Sequence, residues 1–420
     1  MRVLIKKVKI LDSASEYFKE TVDILIVNGI IEKIDKDIST PADQKIEEKG
    51  LCVSQGWVDA KAHFADPGEE HKETILSGLD AAAAGGFTHV CTLPSTKPVV
   101  DNKSQVLYQL NQSDIHTVKL HPFGAITEGT KGENLTELYD LYNAGVRFFT
   151  DDDQSLSAGI TYRALLYIKN FGGRVITFPQ DQTIAPHGLV NEGEASIRTG
   201  LKAQPSIAET IQIRRDLRLL EYTESALHIT GISSAESVEL IRDAKAKGLD
   251  VTCDVHVNQL LFNEESVLGF DANFKVKPPY RTEEDRFVLR KALLDGTIDT
   301  VVSNHRPQDQ EEKDVEFDTA AFGNITLQSV FASLVTKGDF DVQNIVDQLA
   351  IKNRKWLGEK SNPIQKESKA DLTFFQPTQE WHLTKKTILS KSFNTPFLDQ
   401  KLKGLVYGVY NNDKLWTKNS

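Results

Sequence analysis

The sequence is poor in cysteine and lacks long apolar runs. Its three cysteines, Cys52, Cys91 and Cys253, lie far apart and form no CxxC pair. This argues against a disulfide framework and favours a reduced, cytoplasmic protein. No apolar run reaches the roughly eighteen residues of a membrane span, and the first residues lack a signal-peptide pattern. We therefore expect neither a membrane segment nor a secretion signal.

Basic residues are also fewer than acidic ones. The 420 residues include 49 Lys and Arg against 60 Asp and Glu, a formal net charge of −11. Nucleic-acid binding needs concentrated basic side chains, so we expect no nucleic-acid partner. A glycine-rich phosphate loop is missing as well, because "AAAAGGF", residues 81–87, is typical of a helix that ends at glycine.

Short strand-like segments occur near both termini. Residues 1–51 include "RVLIKKVKIL" and "TVDILIVNGIIEKID", with a hairpin signal at Asn28-Gly29. Residues 365–420 include "ADLTFFQPT" and "GLVYGVYNNDKLW". We expect the two ends to form one small composite β-sandwich domain.

Between the termini, residues 52–364 alternate apolar strand-like runs with helical patterns. The eight runs are "GWVDAKAHF", "FTHVCTLP", "HTVKLHPFG", "VRFFTDDD", "RVITFPQD", "SALHITGIS", "LDVTCDVHV" and "DTVVSNHRP". This alternation predicts the α/β class and a (β/α)8 TIM-like barrel. Such barrels place their chemistry where the strands end, and polar residues collect there in this sequence.

The order of these segments is similar to that of a known family. Phrases such as "GWVDAKAHFADPGEEHKETILSGLDAAAAGGFTHVCTLPSTKPVVDN", "NFKVKPPYRTEEDR" and "NTPFLDQKLKGLVYGVYNNDKLW" resemble dihydroorotases of the type associated with aspartate carbamoyltransferase, within the amidohydrolase superfamily. The resemblance implies an amidohydrolase barrel with a β-sandwich built from both ends. It also implies, for active members, a zinc site that opens or closes a cyclic amide in pyrimidine biosynthesis.

The metal-ligand positions of that family are mostly altered in this chain. The resemblance places them at Lys61, His63, Asp152, Phe178, Gly231 and Asn304, of which the last is the general-base position. Only two of the six keep a metal-binding side chain, whereas catalytic zinc usually has three protein ligands. A lysine ammonium has no lone pair. We therefore expect no intact catalytic residue, no bound metal and no cofactor.

The substrate-binding positions have changed too. By the same resemblance they are Ala65, Ser95, Lys277 and Gln308, which stand where the family has arginine, asparagine, asparagine and histidine. The losses thus affect metal, base and substrate recognition together. One loss could be compensated locally, whereas all of them together argue against a working enzyme of this type.

Loss of the metal ions would leave aspartates in the cleft without counter-charge, which is costly. We expect an ion-paired cluster of Lys61, Arg306, Asp151 and Asp152, in which Lys61 pairs with Asp152 and replaces the charge of the metal. The register between the two aspartates stays open, and either could instead cap a loop. His63 could be a hydrogen-bonded barrel histidine.

The first function to expect is a non-catalytic dihydroorotase-like protein of pyrimidine biosynthesis that acts as a structural partner of aspartate carbamoyltransferase, as a homo-oligomer with a dimer as the default. The second is an active dihydroorotase, or another cyclic-amide hydrolase, with an unusual site. The third is a ligand-binding or regulatory module that uses the emptied cleft.

Overall fold

A computed structural model describes residues 1–418 of the chain. The strands in chain order are β1 (Arg2–Ile10), β2 (Thr21–Val27), β3 (Ile30–Asp35), β4 (Gln44–Ile46), β5 (Cys52–Gln55), β6 (Trp57–Ala62), β7 (Phe87–Thr92), β8 (Lys119–Pro122), β9 (Phe148–Phe149), β10 (Arg174–Thr177), β11 (Val190–Asn191), β12 (Ala203–Gln204), β13 (Leu227–Ile229), β14 (Val251–His256), β15 (Thr300–Val302), β16 (Leu372–Leu383), β17 (Gln400–Asn411) and β18 (Lys414–Thr417).

The α-helices are α1 (Ile75–Ala84), α2 (Lys103–Ser113), α3 (Leu138–Asn143), α4 (Ala158–Ile168), α5 (Glu194–Thr199), α6 (Ile207–Thr223), α7 (Ala235–Ala246), α8 (Glu283–Asp295), α9 (Gln310–Lys313), α10 (Val330–Lys337), α11 (Val342–Asp347) and α12 (Asn353–Leu357). A π-helical turn, Gln348–Lys352, joins the last two. Within residues 1–418, none of the helices has the length and apolar character that a membrane span needs.

Both ends of the chain build one eight-stranded sheet. Its strand order is β18-β17-β16-β5-β1-β2-β3, and β4 pairs with β1. The sheet folds around its own apolar core, which draws on residues from both termini. At the predicted hairpin, Asn28 and Gly29 have φ of 48° and 78°, the left-handed conformation that a two-residue turn between twisted strands requires.

The boundary between the two parts differs from the predicted one. Residues 52–55 form β5, which pairs with β1 and β16 of the terminal sheet. The sheet therefore extends to Gln55 rather than ending at Leu51, because this apolar segment finds its partners on both terminal segments. The barrel begins with Trp57, which packs against Phe331 and Phe375 with ring centroids 4.9 and 5.2 Å apart.

The middle of the chain forms the predicted (β/α)8 barrel. All eight predicted segments are strands, and their order is β6-β7-β8 in one sheet and β15-β14-β13-β10-β9 in the other. Every neighbouring pair is parallel. Isolated bridges between Gly124 and Phe149, and between Ala62 and His305, close the ring. The carboxyl ends of the strands consequently meet at one face, where the candidate site lies.

Candidate active site

A cleft of about 260 Å³ opens at the carboxyl ends of the barrel strands. Its walls are mostly polar and charged. They include the candidate residues His63, Ser95, Asp151, Asp152, Lys277, Arg306 and Gln308. The structure therefore brings together at one place residues that are up to 245 positions apart in the chain (63 to 308).

An ion pair lies at the centre of this cleft. Nη2 of Arg306 donates to both carboxylate oxygens of Asp152, at 2.7 and 2.8 Å. The hydroxyl of Ser95 donates to the same carboxylate at 2.5 Å. Asp153 lies at the edge of the pair, 3.6 Å from the guanidinium. The carboxylate that the family resemblance assigns to metal is thus engaged by groups of the protein itself.

The charges of this pair stabilise each other. Burial raises the pKa of Asp152, but the Arg306 guanidinium and the Lys61 ammonium outweigh burial and hold that pKa well below its usual range. Burial also disfavours the charged form of Arg306, yet Asp152 and Asp153 raise its pKa overall. Both groups are therefore fully charged at neutral pH, as an ion pair requires.

The neighbouring aspartate has a different role. One oxygen of Asp151 accepts from the backbone N–H groups of Ile126 and Thr127 at 2.8 and 2.9 Å, and the other accepts from the Thr127 hydroxyl. Burial raises the pKa of this carboxyl. Asp151 therefore fixes the loop after β8, and of these two aspartates only Asp152 accepts hydrogen bonds from Arg306. The expectation that both aspartates share an ion-paired cluster is corrected accordingly.

His63, the retained histidine, is bonded as a barrel histidine. Its Nδ1 accepts from the N–H of Ala65 at 3.2 Å, so Nε2 carries the hydrogen and donates to the carbonyl of Ser95 at 3.2 Å. Burial and the nearby Arg306 lower the pKa of His63 to about 4. Both ring nitrogens are thereby occupied, and the imidazole is neutral at physiological pH.

Lys61 does not pair with either aspartate, contrary to the expectation from the sequence. It is buried at the end of β6, and its Nζ donates to Nε2 of His256 at 3.4 Å. The ring of Phe178 lies 5.7 Å from the same nitrogen. Lys61 acts on Asp152 only through longer-range attraction. Its hydrogen bond goes to His256 because that ring extends into the same part of the barrel.

The space beside Gly231 explains the position of that ring. A Cβ at Gly231 would lie 2.8 Å from Nε2 of His256, so the absence of a side chain at 231 makes room for His256. Burial and Lys61 lower the pKa of His256 to about 3. The neutral ring can then accept the lysine hydrogen bond.

A second buried carboxylate, Asp254, was not predicted from the sequence. It accepts from Nε2 of His228 at 2.9 Å and from the N–H of Gly231 at 2.7 Å. Trp356 donates its indole N–H to Nδ1 of His228 at 3.0 Å, which fixes the tautomer. Although burial raises the pKa of Asp254, the hydrogen bond from His228 and the nearby Lys61 hold that pKa at about 2. The available signal was a charged residue inside an apolar strand.

Among the remaining altered positions, Lys277 and Gln308 have protein contacts. Lys277 lies over the ring of Phe322 at 4.9 Å, and Gln308 donates to the Phe322 carbonyl at 2.7 Å. Asn304, at the general-base position, has φ of 49°; its amide makes no hydrogen bond within residues 1–418. An amide cannot accept and return a proton as a carboxylate does.

These contacts decide whether the residues fit the zinc site of the family. Asp152 is held by Arg306, His63 has both nitrogens engaged, and Lys61 presents only donors. Phe178 and Gly231 offer no ligand atom. Since a catalytic zinc needs about three protein ligands, this donor set does not fit a catalytic zinc.

Comparison with known proteins identifies the family. Residues 50–237 match the family model described as Dihydro-orotase-like. The dihydroorotase of Geotalea daltonii is 38% identical over 410 residues, 96% of each chain. The dihydroorotase of Caldicellulosiruptor saccharolyticus is 38% identical over 424 residues, 99% of this chain and 98% of its own. The two matches extend over almost the whole length of this chain and of each relative.

Solved structures of the same architecture are more distant in sequence. The L-hydantoinase of Arthrobacter aurescens superposes with a TM-score of 0.85 at 22% identity, over 98% of this chain and 95% of its own. The dihydropyrimidinase of Brevibacillus agri superposes with a TM-score of 0.82 at 19% identity, over 100% of this chain and 95% of its own. They share the amidohydrolase barrel with its β-sandwich domain. They show the fold, whereas the full-length relatives show the family: the chain belongs to the dihydroorotase-like family.

Proposed function

We propose that this chain is a non-catalytic dihydroorotase homologue of pyrimidine biosynthesis that acts, as a dimer, as a structural partner of aspartate carbamoyltransferase. The observation that carries the loss of catalysis is the ion pair of Arg306 with Asp152. It supplies the positive charge that a buried carboxylate in this cleft requires. The partner is inferred from the family resemblance.

The proton-transfer groups support the same proposal. A general base works best when its pKa lies near the working pH. The pKa values of His63 and His256, about 4 and about 3, make both imidazoles weak bases at neutral pH. Arg306 also holds the pKa of Asp152 well below its usual range. A metal-free route through these three side chains therefore lacks a base of suitable strength.

A second candidate function is an active dihydroorotase with an unusual site. The relatives at 38% identity are named dihydroorotase, and that observation favours an active enzyme over a structural role. The two candidates differ in a measurable way, because an active enzyme must interconvert carbamoyl aspartate and dihydroorotate.

The test of catalysis compares the purified full chain with and without added zinc. We expect no interconversion above the protein-free rate in either direction. Asp152→Asn and His63→Gln are the matched variants, since they remove the cleft groups available for catalysis. Turnover by the unaltered chain that is lost in both variants would establish the second candidate and overturn the first.

The test of partnership is a separate experiment. The chain is mixed with aspartate carbamoyltransferase of the same organism and resolved by size-exclusion chromatography with light scattering. We expect a co-eluting complex of fixed stoichiometry, and a carbamoyltransferase whose stability or activity rises in it. Independent elution of both proteins at micromolar concentration would contradict the structural role.

A further inference from the structure

Two histidines and a glutamate converge near the end of the barrel where the strands begin. His89 lies on β7, His121 lies on β8, and Glu359 follows α12. One ligand atom from each lies within 4.8 Å of the other two. This cluster is separate from the cleft, whose lining includes none of the three residues.

The hydrogen bonds of His89 prepare one of its nitrogens for a ligand. Nε2 lies 3.0 Å from a carboxylate oxygen of Asp371, and a carboxylate can only accept. Nε2 therefore carries the hydrogen, and Nδ1 has a lone pair. In the metal-free structure that lone pair accepts a hydrogen bond from Nε2 of His121 at 2.9 Å.

This arrangement is the usual one around metal-bound histidine. A histidine that binds a metal commonly donates its other N–H to a carboxylate, which fixes the ring and raises its basicity. Asp371 provides that carboxylate, and Arg354 in turn donates to Asp371 at 2.8 Å. The orienting contacts of a metal ligand are thus already present.

The distances need only small adjustments. With zinc–nitrogen bonds of about 2.0–2.1 Å, two ligands of a tetrahedral ion lie about 3.4 Å apart. The two imidazole nitrogens would separate by roughly half an ångström, with the His121 hydrogen moving from Nε2 to Nδ1. Glu359 would rotate away from Lys119, whose Nζ now lies 3.2 Å from it. Both of those side chains are partly exposed.

We propose that His89, His121 and Glu359 form a binding site for a divalent first-row transition ion, the basal site, with zinc as its expected occupant. Two imidazoles and one carboxylate are a donor set that such ions favour, and water completes the coordination. The ion would join β7 and β8 to the segment after α12. Through Asp371, its orienting contacts reach the start of β16 and the terminal domain.

The charge around the cluster is compatible with a dication. Glu359 and Asp371 are the two nearby carboxylates, and Lys119 and Arg354 are the two nearby cations. Lys119 can leave for solvent when Glu359 turns to the ion. Arg354 remains on Asp371 and on the carbonyl of Gly56, 2.7 Å away, and so holds the second carboxylate in place.

The experiment titrates the metal-free full chain with Zn²⁺ by calorimetry and with Co²⁺ by visible absorption. We expect one ion per chain, the absorption of a four-coordinate cobalt, and a rise of the thermal midpoint on binding. His121→Ala and Glu359→Gln should each weaken binding at least tenfold. Both residues are partly exposed, and circular dichroism checks that each variant folds.

The cleft variants are the matched controls. His63→Gln and Asp152→Asn should leave the affinity unchanged. No binding by the unaltered chain, or binding that His121→Ala leaves intact, would overturn the basal site. An ion lost with the cleft variants would overturn it as well, and would also contradict the proposed non-catalytic cleft. An ion lost only with the basal variants supports this site and leaves the question of catalysis to the assay.

Discussion

The guanidinium of Arg306 lies against the carboxylate of Asp152, with Nη2 2.7 and 2.8 Å from its two oxygens. The two residues are 154 positions apart in the chain. Their contact joins the loops after β9 and β15 across the mouth of the barrel. The charge that a family metal would provide at this carboxylate is thereby supplied by the chain.

Removing the guanidinium should destabilise the fold. Arg306→Met leaves Asp152 buried without its main partner, and breaking such a pair costs about 3–5 kcal/mol. The free energy of unfolding in urea measures the effect. The control is Arg218→Met, because Arg218 pairs with Glu221 at the surface, where a pair contributes about 0–1 kcal/mol. Equal effects of the two variants would contradict a stabilising role of the cleft pair.

Stability should fall as the pH is lowered from neutrality. The pKa values of His63 and His256 are about 4 and about 3 in the folded protein, against about 6.5 when unfolded. Between these values the unfolded chain binds more protons, so the free energy of unfolding rises with pH. The slope is up to about 1.4 kcal/mol per pH unit for each histidine. Asp152 adds a further loss of stability at lower pH. Its pKa is depressed in the folded protein, so this loss begins below its unfolded pKa of about 3.9.

The two buried histidines should account for that slope. Urea unfolding between pH 7 and pH 4.5 should show a shallower dependence for His63→Gln and for His256→Gln than for the unaltered chain. His71→Gln is the control, because the side chain of His71 is 61% exposed. A slope that neither buried variant reduces would rule out these groups as its cause.

Gly231 should tolerate no side chain, because His256 fills the adjacent space. Gly231→Ala places a Cβ 2.8 Å from that ring at φ of 72°. Gly248→Ala separates the backbone strain from the contact with His256, since Gly248 has φ of 79° and open space around it. The Gly248 variant should lose about 1 kcal/mol for the backbone strain, and the Gly231 variant should lose more. Equal losses would mean that the contact with His256 has no energetic effect.

Lys61 should control the protonation of His256. Its ammonium is the largest cause, after burial, of the depressed pKa of that imidazole. Lys61→Met keeps the length of the side chain and removes the charge, so the pKa of His256 should rise from about 3 toward 6.5. Nuclear magnetic resonance of the histidine ring protons follows this titration. An unchanged pKa would show that burial and Arg306 depress it without Lys61.

The barrel was predictable because each strand is a short apolar run that ends at polar or turn-forming residues. All eight runs became strands for that reason. The contact between Asp152 and Arg306 was also predictable from their sequence positions. Both residues lie just after barrel strands, and the ends of those strands converge. The domain boundary after Gln55 could not be predicted from the sequence, because β5 pairs with β16, more than 300 residues away.

The partner of Lys61 could not be predicted from its position. The choice between Asp152 and His256 depends on which ring fills the space beside Gly231, a property of the packed barrel. Asp254 was missed for a related reason: its partners, His228 and the Gly231 N–H, become neighbours only when β13 and β14 pair.

The dihydroorotase assay of the full chain with added zinc, read together with bound zinc by elemental analysis, tests the central claim most directly. The cleft has Arg306 on its carboxylate, and four of its six family ligand positions are altered, so the account predicts no interconversion of carbamoyl aspartate and dihydroorotate. Any zinc found should disappear with His121→Ala and not with Asp152→Asn. Turnover that depends on zinc and on Asp152 would contradict the account.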